Sequence, residues 1–180
     1  GSVGASGDLA PLAHLASVLI GEGEAFYQGK RMNGGEALQL AGLKPIKLAA
    51  KEGLSLINGT QQMTALGALT LLRAEETMDL ADLICATSLD GVLGTPKAYV
   101  DWVQKTRPFP GQIRSAQLLT RFMENSEIYQ SHENCDRVQD PYSFRCAPQV
   151  HGGVRELLTF VRHMLSIEIN AATDNPLVNG

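Results

Sequence analysis

Along most of this chain apolar residues recur at helical spacing, and strand-like alternation is scarce. From Gln61 to about Leu89 the apolar positions are dense. Ala65, Leu66, Ala68, Leu69, Leu71 and Leu72 surround the helix axis on nearly every side, which predicts a long helix inside a bundle. Gly91 and Gly94-Thr95-Pro96 mark its end. The last helix has the clearest stripe: Val154, Leu157, Leu158, Val161, Met164 and Leu165 share one face, and Arg155, Glu156, Thr159 and Arg162 are expected to face away. Shorter helices are predicted over residues 9–20, 48–57, 98–105 and 113–125. Asp8 is read as the cap of the first, with Pro11 tolerated in its opening turn and Gly21 and Gly23 as its stop. Pro108 and Pro110 are read as separators of the last two. A small hairpin is expected over residues 25–32, around Gly29.

One position breaks the pattern of the final helix. At 100° per residue Glu168 falls between Leu157 and Val161, inside the apolar stripe. An unpaired carboxylate there would cost several kcal/mol or stay protonated, so either Glu168 is buried with a partner, the favoured case, or the helix ends before it. A structural partner is the favoured reading. The sharper reading makes Glu168 an acid that orients the polar loop at Asp174-Asn175. The fold class is therefore all-α: a bundle of long helices with irregular connecting loops and one small hairpin, read as one unit over residues 1–180. Broad apolar faces on long helices also predict oligomerisation.

Composition narrows the function classes. A formal charge of −4 over 180 residues leaves no basic footprint for nucleic acid. No apolar run reaches the length of a membrane span, and no signal-peptide pattern is seen. Cys85, Cys135 and Cys146 are too few and too scattered for a disulfide framework or a structural zinc site, which fits a reducing, cytoplasmic setting. His132 and His151 lack the spacing and acidic partners of a metal site, so no metal is expected and both are read as structural or supporting residues. The opening at Gly1 without Met and the close on Asp174-Asn175-Pro176, a turn signal, read as an internal piece of a longer protein.

Three polar strings carry the candidate chemistry. The first is Gly1-Ser2-Val3-Gly4-Ala5-Ser6-Gly7-Asp8-Leu9-Ala10-Pro11-Leu12, small residues crowded into a bend before a helix. By glycine content alone it is a connection that caps a helix or holds an anion. The second runs from Ser131-His132-Glu133-Asn134-Cys135 through Val138-Gln139-Asp140-Pro141-Tyr142-Ser143 to Arg145-Cys146-Ala147-Pro148-Gln149-Val150. Gln139, Tyr142 and Arg145 recur every three residues, so a helical turn would align them, and a guanidinium is a natural bidentate partner for a carboxylate. The third is Leu56-Ile57-Asn58-Gly59-Thr60, in isolation only a helix stop.

Taken together, these strings resemble the MIO-dependent aromatic amino acid ammonia-lyases, and most closely their histidine-type members. The resemblance runs the length of the chain, through Asn170-Ala171-Ala172-Thr173-Asp174-Asn175-Pro176-Leu177. It implies that Ala5, Ser6 and Gly7 cyclise to 4-methylideneimidazole-5-one (MIO): the Gly7 nitrogen attacks the Ala5 carbonyl, and Ser6 is dehydrated to an exocyclic methylene. It also implies that Arg145 takes the substrate carboxylate and that Tyr142 and Gln139 line the pocket near the substrate amine, with Tyr142 counted among the catalytic residues. Asn58 would hydrogen-bond the carboxylate or the MIO group. The implied reaction converts L-histidine to trans-urocanate and ammonia in a cytoplasmic homotetramer whose active sites draw on several subunits. The family's lid tyrosine and the segment that recognises the substrate side chain have no counterpart in these residues. A tyrosine or phenylalanine lyase, and a non-catalytic helical subunit in which MIO does not form, remain alternatives.

Overall fold

The computed structural model describes residues 1–173 and Leu177, in two compact units: Gly1–Gly67 with Leu165–Gly180, and Ala68–Met164. The turn expected at Asp174-Asn175-Pro176, and with it the sharper role for Glu168, lies outside the described residues. Helices dominate, and the one sheet among the described residues is a two-stranded hairpin, as the sequence predicts.

The first unit opens with α1 (Ala10–Leu19), which carries Pro11 in its first turn, where the missing amide leaves no helical hydrogen bond unmade. Asp8 does not cap it. Leu9 holds the capping position without a side-chain bond, and the Asp8 carboxylate, one residue too early to reach the first free amides, turns back to accept from Val3 N–H at 2.8 Å. Strands β1 (Glu24–Tyr27) and β2 (Lys30–Asn33) pair antiparallel, Glu24 opposite Asn33 and Tyr27 opposite Lys30. Gln28 and Gly29 both take positive φ, 49° and 78°, which a two-residue hairpin turn matching strand twist requires. Asn33 then caps α2 (Gly34–Leu40), accepting from Gly35 N–H at 2.9 Å. This helix was not anticipated: it is short and begins with two glycines. The helix expected from residue 48 is only α3 (Glu52–Ile57), because Lys51 sits in the left-handed region at φ 71° and the Glu52 carboxylate binds back to Ala49 N–H.

The second unit holds most of the two long helices, α4 (Gln61–Gly91) and α9 (Ala147–Ile169). Between them come a 3-10 turn (Pro96–Tyr99), α5 (Asp101–Lys105), α6 (Pro110–Phe122), α7 (Glu127–Ser131) and α8 (Tyr142–Arg145). The single helix expected over 98–105 breaks at Val100, whose ψ of 141° is extended. Pro110 opens α6 rather than separating it, so α6 starts before residue 113. The core joins Ala86 and Leu89 of α4, Tyr99, Ala116 and Leu119 of α6, Met123 and Ala147. At the meeting of α6 and α9, a Cβ on Gly152 would stand 2.5 Å from the Gln112 backbone, so only glycine admits that approach. Beside it, Glu156 accepts from Gly111 N–H at 2.7 Å, placing a carboxylate on the free amides at the α6 N-terminus.

Arg155 corrects the sequence reading of α9. Expected to face away, it is only 9% exposed, and the apolar stripe is divided: Leu157 at 58%, Val154 and Met164 are exposed, while Leu158, Val161 and Leu165 are half-buried. The cause is an ion cluster. Asp82 of α4 is fully buried, and Arg155 Nη2 donates to it at 2.6 Å and to Asp79 at 2.7 Å, while Arg155 Nε donates to Ser115 at 3.0 Å. His151 Nδ1 meets the other Asp82 oxygen at 2.7 Å. Helix α4 is likewise less enclosed than expected: Leu71 is buried, but Leu66, Leu69 and Leu72 are exposed. Glu168 is half-buried and accepts from the Thr60 hydroxyl at 2.6 Å, so the expected partner is present.

Removing one member of the Arg155 cluster leaves a carboxylate buried without its cation. Arg155→Met is expected to destabilise the protein by about 3–5 kcal/mol in urea unfolding. A loss below about 1 kcal/mol, the range of a surface pair, would show that the cluster does not hold the unit together.

Candidate active site

In the first unit the string around Ser6 forms a tight turn. Asp8 N–H approaches the Ala5 carbonyl at 3.3 Å, with Ser6 and Gly7 at the corner. Gly7 has φ +92° and Gly4 φ +68°, values that side-chain-bearing residues rarely adopt. A Cβ on Gly7 would meet nothing within 4 Å, so the need for glycine here is conformational rather than a matter of space. The Ser6 hydroxyl points to Asn58 Oδ1 at 3.4 Å, joining the first and third strings across 52 residues. Asn58 sits at the C-terminal end of α3, and two residues on Thr60 is anchored by Glu168. The Asp8–Val3 bond closes the other side of the bend. A corner that already bends the chain at Gly7, with an open approach and a partner for the Ser6 hydroxyl, fits the residues MIO formation needs.

In the second unit Gln139, Tyr142 and Arg145 line one open cleft of about 710 Å3, with Val92, Arg137 and Phe144. The expected helical turn is real only for Tyr142 and Arg145, which open and close α8, because Pro141 caps that helix and leaves Gln139 in the extended approach. Tyr142 is 70% exposed, and the Arg145 guanidinium stands 5.5 Å from its ring centroid, a cation–π contact. Arg145 Nε donates to the Asp140 carbonyl at 2.9 Å. No acceptor for its terminal nitrogens is found among the described residues, so that edge can receive an anion. Helix α8 is also held from below: Tyr99 donates its hydroxyl to the Phe144 carbonyl at 2.9 Å, and burial pushes the Tyr99 phenol far above its ordinary value, which keeps it a donor.

Sequence reasoning missed the frame of this cleft. Arg137 donates to the carbonyls of Val92 and Leu93 at 3.0 and 3.2 Å, and Asp140 accepts from Thr95 N–H at 2.8 Å. His132 places Nδ1 on the Ile128 carbonyl at 2.6 Å and Nε2 on the Gly94 carbonyl at 2.9 Å. Carbonyls only accept, so the ring makes both bonds when it carries both protons. Arg137 and His132 thus supply donors to carbonyls just past the end of α4. The signal available in the sequence was only that charged residues cluster after α7. His132 and His151 both serve structural contacts, the reading taken from the sequence.

The aromatic amino acid lyase family model matches residues 1–180. The histidine ammonia-lyase of Myxococcus xanthus (strain DK1622) is 58% identical over 178 residues, covering 99% of this chain and 35% of that protein. Among solved structures, histidine ammonia-lyase from Trypanosoma cruzi is 42% identical with a TM-score of 0.78, covering 99% of this chain and 32% of its own. Pantoea agglomerans phenylalanine aminomutase is 34% identical with a TM-score of 0.81, covering 98% and 37%. The chain therefore spans about a third of the length of the curated relatives it matches.

The bend around Ser6 has its own pH signature. Val3 N–H, and after it the Ser2 hydroxyl, hold the Asp8 carboxyl below its ordinary 3.8. A lowered value means the ionised form is favoured in the fold: the contribution is present above the ordinary value and is lost as pH falls through the folded one. A side-chain NMR titration is expected to give Asp8 a midpoint below 3.8. A midpoint at or above it would mean that the Val3 contact does not form.

Proposed function

The chain belongs to the aromatic amino acid lyase family, and we propose that it is the part of a histidine ammonia-lyase that carries the MIO-forming turn and the carboxylate-binding turn. The observation that carries this reading is the Ala5–Ser6–Gly7 corner, with Gly7 at φ +92° and the Ser6 hydroxyl on Asn58. The identity of 58% to the Myxococcus protein supports histidine as the substrate. The reaction is the non-oxidative conversion of L-histidine to trans-urocanate and ammonia.

Once formed from Ala5, Ser6 and Gly7, MIO supplies an electrophilic methylene towards the substrate amine, a reactivity no standard side chain offers. The remaining work belongs to ordinary side chains. Arg145, held by its Nε, offers its terminal nitrogens to the carboxylate as a planar fork. Gln139 and Tyr142 line the same cleft, Gln139 as a hydrogen-bonding group for the amine and Tyr142 as a polar aromatic wall able to accept or pass on a proton. Asn58 orients the Ser6 position, and its side-chain amide is the group the family likeness assigns to the carboxylate or the finished ring.

The proposed enzyme is a cytoplasmic homotetramer. Exposed Leu66, Leu69, Leu72, Leu157 and Phe160 on the two long helices support association, because such faces are seldom left to water. Among the described residues no helix is long and apolar enough to cross a membrane. A second reading, a tyrosine or phenylalanine lyase, draws on the likeness to the Pantoea phenylalanine aminomutase.

Ser6→Ala in the full-length enzyme tests the assignment. Loss of the hydroxyl that must be eliminated is expected to lower urocanate formation on the order of a thousand-fold or more, as when a covalent catalytic group is removed. Helical circular dichroism and melting temperature should not move, since one exposed oxygen is lost at a bend. Undiminished turnover would rule out MIO as the electrophile, and cinnamate or coumarate as the preferred product of the unmodified enzyme would support the second reading.

A further inference from the structure

The segment that carries Gln139, Tyr142 and Arg145 also holds a carboxylate that the proposed reaction does not use. Asp140 is only 5% exposed although it borders the cleft between Gln139 and Pro141. Its Oδ2 accepts from Thr95 N–H at 2.8 Å, and its Oδ1 faces Arg137 Nη1 at 3.3 Å. Arg137 reaches from the same nitrogen to the Val92 and Leu93 carbonyls, and His132 to the Gly94 carbonyl. A main-chain group of each residue from 92 to 95 is thereby gripped by the segment before α8. The Asp140 main-chain carbonyl is what accepts from Arg145 Nε at 2.9 Å.

These contacts form a relay. The carboxylate pins the Asp140 peptide to the turn after α4, and the pinned peptide presents its carbonyl to one edge of the Arg145 guanidinium. With Nε occupied, the plane of the fork is set and its terminal nitrogens remain for a ligand in the cleft. We infer that Asp140 is a positioning residue for Arg145, acting on carboxylate binding without touching substrate, a role that rests on Arg145 being the carboxylate-binding group. A displaced Asp140 carbonyl would leave Arg145 Nε without its acceptor, and the guanidinium, then held only by its contact with the Tyr142 ring, would spread over several orientations. Buried burden alone does not explain the arrangement, since an apolar residue at position 140 would leave Thr95 N–H without its acceptor but would not in itself alter a fork that was fixed elsewhere.

The test is a double-mutant cycle in the full-length enzyme, with KM and kcat for L-histidine and the melting temperature measured for Asp140→Ala, Arg145→Ala and the pair. Acting through Arg145, Asp140→Ala raises KM roughly ten-fold or more with a smaller change in kcat, and it adds less than about two-fold once Arg145 is already alanine. Asp140→Asn, which keeps an acceptor for Thr95 N–H, recovers most of the loss. Should Asp140→Ala fail to fold, the Asn variant, expected to show a smaller KM rise that likewise vanishes beside Arg145→Ala, closes the same cycle. An equal KM rise in both backgrounds, a melting shift without a KM change, or an effect confined to kcat overturns the positioning role. An unchanged KM in Arg145→Ala alone overturns the carboxylate assignment itself, and the positioning role with it. That outcome is distinct from the others because it appears without any change at Asp140.

Discussion

A carboxylate with no access to water, in the middle of a long helix, must be answered, and much of the second unit follows from how Asp82 is answered. Arg155 from α9, His151 from α9 and, through Arg155, Ser115 from α6 converge on it. Meeting Asp82 fixes the rotation of α9 about its axis. With that rotation set, Gly152 comes against Gln112 where no side chain would fit, Glu156 reaches the first amides of α6, and Leu157 and Phe160 are left outside. Apolar side chains turned outward are the physical cost of a polar cluster turned inward.

The same rotation bears on the cleft. Helix α8 ends at Arg145 and α9 begins at Ala147, a core residue, so little slack separates the turn that carries Arg145 from the helix that Asp82 fixes. Tyr99 holds α8 by the Phe144 carbonyl, and Arg137, His132 and Asp140 hold its approach to the turn beyond α4. In the first unit the control is more local. Positive φ at Gly4 and Gly7, the Asp8–Val3 bond and the Ser6–Asn58 contact shape the bend with almost no buried core behind it. Packed helices position the cleft residues, whereas backbone conformation shapes the Ala5–Gly7 bend.

What the sequence made legible was what local rules govern. Period marked α4, the turn residue Gly29 marked the hairpin, and the helical wheel placed Glu168 where it met Thr60. Short helices escaped although Asn33 and Ser126 stand at their starts as capping residues, because a cap without a long apolar period is a weak signal. Pro110 was mistaken for a boundary when it is a first-turn residue. The larger error was Arg155. A cation on an amphipathic helix is normally solvated, and its partner Asp82 lies 73 residues away, beyond any local pattern. The candidate site divides likewise. Ala5, Ser6, Gly7, Asn58, Gln139, Tyr142 and Arg145 were identified by resemblance to a family, while the roles of Asp140, Arg137 and Tyr99 exist only in three dimensions.

We propose that the bend at Ser6 is converted into MIO. Cyclisation and dehydration of Ala5-Ser6-Gly7 together expel two water molecules, and nothing else in the proposed scheme changes the covalent mass. Intact-mass spectrometry of the native full-length protein, purified active, measures this directly. Conversion to MIO predicts a mass lower than the encoded sequence by two waters, with the deficit mapped to the peptide containing Ser6. An active preparation whose Ser6 peptide carries its full encoded mass would contradict it.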